Sequence, residues 1–132
     1  MKANELMIGD WVQCTYWHNP HILQVYELKR VSNDELKIVV VEDALPLVFQ
    51  EMYIEPIPLT AEVLEKNGWK YNPDIKAYEW QDKAFYISII MDGKTRIYVG
   101  NDYIFGMALG AVHELQHALR LCGIDKEMVL ND

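Results

Sequence analysis

Cysteine is scarce in this chain. Cys14 and Cys122 are the only two in 132 residues, too few for a disulfide framework. Long apolar runs are missing too. The N-terminus, MKANELMIGDW, holds no apolar signal core, and the run from Tyr103 to Val112 is too short to cross a bilayer. Together these gaps predict a soluble protein of a reducing cytoplasm, with no membrane partner. Basic residues are outnumbered, since 12 Lys and Arg against 20 Asp and Glu leave a formal net charge of −8. An acidic chain without a basic stripe suits a phosphate backbone poorly, so nucleic acid is not expected as a partner. The sequence also has no Gly-rich phosphate loop, no Ser or Cys nucleophile motif, no internal repeat and no low-complexity tract.

What remains is a folding composition. Apolar residues make up 51% of the chain and charged residues 24%, enough for one ordinary domain or two small ones with real cores. Residues 1–58 read as β-structure. Strands are expected over Trp11–Cys14, Ile22–Val31, Leu36–Glu42, Leu45–Phe49 and Met52–Ile57, broken by Asn19-Pro20, a polar turn at 32–35 and prolines 46, 56 and 58. That many short strands in so few residues predict a small closed antiparallel barrel, because open edges are a liability. The Pro-rich stretch Pro56–Thr60 is the predicted boundary. Residues 59–132 then read as an α-βββ-α unit: a short helix over Ala61–Asn67 capped by Thr60, a three-stranded meander that Trp69-Lys70-Tyr71 opens before a turn at Asn72-Pro73-Asp74 and that runs on through Ala77–Gln81, Ala84–Met91 and Thr95–Val99, and a long C-terminal helix lying on that meander. The fold class is α+β.

The long helix is predicted over Phe105–Gly123. Ala108, Ala111, Val112, Leu115, Ala118, Leu119 and Cys122 recur at steps of three and four, with Asp102 as N-cap candidate and Gly123 as stop. It carries His113-Glu114-Leu115-Gln116-His117, which reads H-E-x-x-H. In zinc peptidases two imidazoles four residues apart hold one zinc, and the intervening Glu acts as general base on the bound water. On that alternative His113 and His117 are zinc ligands and Glu114 is catalytic. The set is incomplete, because a catalytic zinc takes a third protein ligand. Arg120 and Gly123 stand where an extended motif needs Gly and His, and only Asp125, Glu127 and Asp132 are acidic beyond Gly123. Helical geometry also puts His113 and His117 opposite the apolar stripe, which predicts a solvated outer face. The preferred reading is therefore no metal and no catalytic residue.

Other clusters are weaker. Cys14, His18 and His21 have ligand chemistry but lack a fourth partner. Trp11, Tyr16, Trp17 and Tyr26 form a candidate peptide-binding surface of the kind that docks proline-rich or basic segments, although Trp11 and Tyr26 are also expected to fill the barrel core. Trp69, Tyr71, Tyr78 and Trp80 read as cross-strand packing.

Three segments, Leu6–Val12 (LMIGDWV), Ile54–Trp69 (IEPIPLTAEVLEKNGW) and Val112–Ile124 (VHELQHALRLCGI), resemble a family of uncharacterised small proteins of Bacteroides-type genomes and their phages and mobile elements. The N-terminal part also resembles SH3-like barrels. The resemblance implies a helix kept for packing or for a partner, and attaches no activity to the chain. The expected role is a non-catalytic protein–protein interaction or accessory function, with an unidentified protein partner. A minimal zinc metallopeptidase is the alternative.

Overall fold

Val12 and Cys14, Leu23 and Val25, and Ile38 and Val40 fall at every second position, the period of a strand with one buried face. The computed structural model describes residues 1, 5–32, 35–81, 86–90, 96–99, 102–105, 110–124 and 126–130. The chain divides into two compact units. Met1–Pro58 and Ala111–Lys126 make the first, and Leu59–Gly110 and Glu127–Leu130 the second, so most of the second unit is an insertion in the first.

The first unit holds five antiparallel strands: β1 (Trp11–Cys14), β2 (His21–Ser32), β3 (Glu35–Glu42), β4 (Leu45–Phe49) and β5 (Ile54–Glu55), in the order β4-β3-β2-β1-β5. The long β2 pairs with β1 through residues 21–24 and with β3 from Val25 onward, with a register shift between Val25 and Glu27. Asp43 and Ala44 form the two-residue β3–β4 turn, both with positive φ, at 51° and 65°. Leu6, Val12, Cys14, Leu23, Val25, Ile38, Val40, Phe49 and Ile54 make the core.

Three expectations change here. No pairing joins β4 to β5 among the described residues, so the sheet is open where a closed barrel was predicted. The predicted Met52–Ile57 strand begins inside a 3₁₀ turn, Glu51–Tyr53, and only Ile54–Glu55 of it is strand β5. Trp11 and Tyr26 do not fill the core. The alternation points Val12 and Cys14 inward, so Trp11 faces out half-buried, and Tyr26 is 62% exposed.

The second unit starts with α1 (Ala61–Lys66), whose cap Thr60 accepts the Val63 amide through Oγ1 at 3.3 Å. A meander follows: β6 (Lys70–Asn72), β7 (Ala77–Gln81), β8 (Tyr86–Ile90), β9 (Arg96–Val99) and β10 (Asp102–Phe105), in sequential order. It has five strands where three were predicted. Trp69 meets Trp80 at 5.7 Å and Tyr71 meets Tyr78 at 5.1 Å, so these aromatics pack across the sheet. Asn67 ties in the tail, donating to Val129 O at 2.9 Å and accepting from Val129 N at 2.6 Å.

The second helix, α2, spans only Val112–Leu121. At its predicted start Phe105 lies in a strand, and Gly110 and Ala111 precede the helix. Asp102–Phe105 is a strand paired with β9, and residues 106–109 lie outside those described. Tyr103, Ile104 and Phe105 are strand formers, and Gly106 and Gly110 weaken a helix. The helix belongs to the first unit, not to the meander: it lies along β1, and its Val112 amide donates to Ile57 O at 2.9 Å. Among the described residues no helix is long and apolar enough to cross a membrane.

Candidate functional site

The H-E-x-x-H stretch sits against the turn that precedes β1. Gly9, with φ of +92°, reverses the chain there. Its amide donates to Val25 O at 2.7 Å, and the Val25 amide donates to Asp10 O at 2.8 Å, which bolts the turn to β2. The turn drives the Asp10 carboxylate inward, to 0% exposure. Three donors converge on it. Oδ2 accepts from Met7 N at 2.8 Å and from His117 Nε2 at 2.6 Å, and Oδ1 accepts from Arg120 Nη1 at 3.1 Å. Arg120 Nη2 donates to Ile8 O at 3.2 Å. Gln116 completes the join. Its Oε1 accepts the Trp11 amide at 2.8 Å and its Nε2 donates to Gly9 O at 2.9 Å.

His113, Gln116, His117 and Arg120 are thus the docking face of α2 and not its solvated back. His113 and Gln116 are each 7% exposed. The apolar residues Val112, Leu115, Ala118 and Leu119 are buried as well, so the helix is covered on both sides. The predicted outer face fails because polar residues at steps of three and four can bury against backbone amides, carbonyls and a carboxylate as well as against water.

This arrangement bears on the zinc alternative. His117 Nε2 donates to Asp10, so in the neutral ring only Nδ1 keeps a lone pair for a metal. The His113 and His117 rings meet edge to face, 5.5 Å apart at 77°. Among the described residues no group of three or more His, Cys, Asp or Glu side chains is arranged to hold a metal ion. Glu114 lies half-buried in the first turn, where an acid suits the helix dipole. His113 Nδ1 is buried without a hydrogen-bond partner among the described residues. Burial pushes its pKa below the ordinary histidine value. Asp10 opposes that shift and His117 adds to it.

The second candidate is a groove of about 430 Å3 lined by Tyr16, Trp17, Lys37, Phe49, Gln50 and Tyr53, among others. Tyr16 contacts Trp17 at 5.6 Å and Tyr53 at 5.4 Å, and Trp17 contacts Phe49 at 5.5 Å, all close to edge-to-face. The loop after β1 brings Tyr16 and Trp17, β4 brings Phe49, and the 3₁₀ turn brings Tyr53. Trp17 is held from behind by His21, whose ring stacks on it at 4.0 Å and 13°. His21 Nδ1 is bonded in turn to Glu42 Oε2 at 2.5 Å. Tyr16 is 59% exposed, so the groove presents aromatic surface to water.

The four aromatics of the predicted peptide surface therefore separate. Tyr16 and Trp17 line this groove, whereas Trp11 and Tyr26 line another recess, of about 380 Å3, with Ile8 and Val41. Nor do Cys14, His18 and His21 form a ligand set. Cys14 is buried, burial raises its thiol pKa, and His21 is committed to Glu42 and Trp17. Sequence reasoning missed Asp10, Gln116 and Arg120 in the first cluster and Lys37, Phe49 and Tyr53 in the second. The run 113, 116, 117, 120 carried a signal, a polar stripe at helical spacing. For Tyr53 nothing marked the 3₁₀ turn. Comparison with family models, curated proteins and solved structures gives no match for this chain.

Proposed function

We propose that the protein is a non-catalytic interaction module whose first unit docks an extended, proline-rich segment of a partner protein in the Tyr16–Trp17–Phe49–Tyr53 groove. The observation that carries this reading is the set of edge-to-face aromatic contacts, which leaves exposed ring surface beside an open sheet edge. Such shelves accept a preformed polyproline helix at low entropic cost. A groove of about 430 Å3 is within the range of formed ligand sites.

An SH3-like relation of the first unit belongs to the same proposal. The strand order, the long β2 shared between β1 and β3, and the 3₁₀ turn before β5 support it. The resemblance seen in the sequence adds a mobile-element and cytoplasmic setting. In this reading the H-E-x-x-H helix is a structural dock, and the use of His117, Gln116 and Arg120 on the Gly9–Trp11 turn supports that role.

Titration of intrinsic tryptophan fluorescence with P-x-x-P decapeptides tests the proposal. Saturable quenching or a blue shift is expected, weakened about tenfold in Tyr16→Ala, a loss of roughly 1.4 kcal/mol. Equal affinity in Tyr16→Ala and wild type would rule out the groove as the docking surface.

A further inference from the structure

The groove has one cation in its lining. Lys37 lies half-buried on β3, and its register partner on β2 is Lys29. Residues directly opposite on neighbouring strands project from the same face, so the two ammonium groups share one surface, a placement that costs stability. Glu27 and Glu35 stand two residues along the same strands, yet among the described residues neither forms an ion pair with Lys29 or Lys37, and neither lysine has another carboxylate partner.

Resting on the docking role proposed above, we infer that Lys37 is a specificity-determining residue, and that the docked segment carries a carboxylate side chain beside its apolar anchors. The rings supply apolar contact without sign preference. Lys37 supplies the sign. A carboxylate brought beside it gains a charge-assisted hydrogen bond and relieves the repulsion from Lys29. A uniformly acidic partner is disfavoured, because the adjoining recess of about 210 Å3 is lined by Glu35 and Glu51 and shares Gln50 with the groove. The fit is to a proline-containing segment with a single, placed acid.

The test uses the full chain and three sets of acetylated, amidated P-x-x-P decapeptides. One Glu, Gln or Lys is scanned through the non-proline positions of each set. At its best position the Glu peptide should bind wild type about fivefold tighter than the matching Gln peptide at low salt. That preference should vanish in Lys37→Gln and pass to the Lys peptide in Lys37→Glu, with the unfolding midpoints of both variants at or above that of wild type, because the repulsion from Lys29 is relieved. Equal binding of Glu and Gln peptides to wild type would overturn the carboxylate inference and leave the docking role standing. Binding of no peptide from any set would overturn both.

Discussion

Replacing Asp10 by alanine removes the carboxylate on which three hydrogen bonds at the α2 dock converge. The Met7 amide, His117 Nε2 and Arg120 Nη1 all lose their acceptor at once. Deleting one side of a buried charged pair costs about 3–5 kcal/mol. His117 and Arg120 keep part of their surface in water, and Met7 is exposed, so partial rehydration sets the expected loss near the lower end, about 3 kcal/mol. That is a large share of the roughly 5–15 kcal/mol that holds a small domain together. Asp10→Asn keeps the shape and one carbonyl acceptor, so it should cost less, about 1–2 kcal/mol. Urea unfolding followed by tryptophan fluorescence reads both losses. A double-mutant cycle with His117→Ala should return a coupling of about 1–3 kcal/mol, because the two side chains touch directly. A cost below about 1 kcal/mol for Asp10→Ala, or a coupling near zero, would refute the claim that this carboxylate anchors the helix.

Other perturbations follow from the same geometry. Gln116→Ala removes the Oε1 acceptor of the Trp11 amide and a donor from Gly9 O, and should cost about 2 kcal/mol in the same urea assay. Burial disfavours the protonated form of His113, so below the ordinary histidine value of 6.5 the unfolded chain binds a proton that the native chain does not. This contribution to stability is complete above that value and is lost as pH falls through the native pKa. The slope of urea midpoint against pH in the acid range should therefore be smaller in His113→Gln than in wild type, and parallel slopes would contradict the assignment. Ala44 sits at φ of 65° in the β3–β4 turn, a region costly for any side chain, so Ala44→Gly should stabilise by about 0.5–1 kcal/mol, measurable as a raised unfolding midpoint. His21→Ala frees Trp17 from its stack and from Glu42 behind it, so P-x-x-P peptide affinity should fall about threefold while stability changes by less than about 1 kcal/mol.

Much of the first unit was legible because strand alternation is a local signal. Trp11–Cys14 and Leu45–Phe49 carry it in their own side chains, and the Pro56–Thr60 punctuation lies where the chain passes between the two units. Whether the sheet closes was not legible, since that depends on the pairing of β4 with β5 and on a 3₁₀ turn that shortens β5. The long helix misled at its start. Ala108 and Ala111 extend the apolar period of Val112–Leu121 backward, yet Tyr103-Ile104-Phe105 pair with β9. Sheet pairing overrode periodicity there. Neither candidate site could be read whole, because its members lie far apart in the chain. Asp10 meets His117 across 107 positions, and Tyr16 meets Tyr53 only after β2, β3 and β4 have intervened in the chain. Periodicity marked His113, Gln116, His117 and Arg120 as one face but left open whether that face meets water or backbone.

The docking claim is tested most directly by mapping amide and tryptophan indole shifts of the labelled protein during titration with the best-binding P-x-x-P peptide. Perturbations concentrated at Tyr16, Trp17, Lys37, Phe49, Gln50 and Tyr53, with His113, Glu114 and His117 unmoved, are the predicted result. Shifts centred on the α2 histidines, or none at saturating peptide, would contradict it.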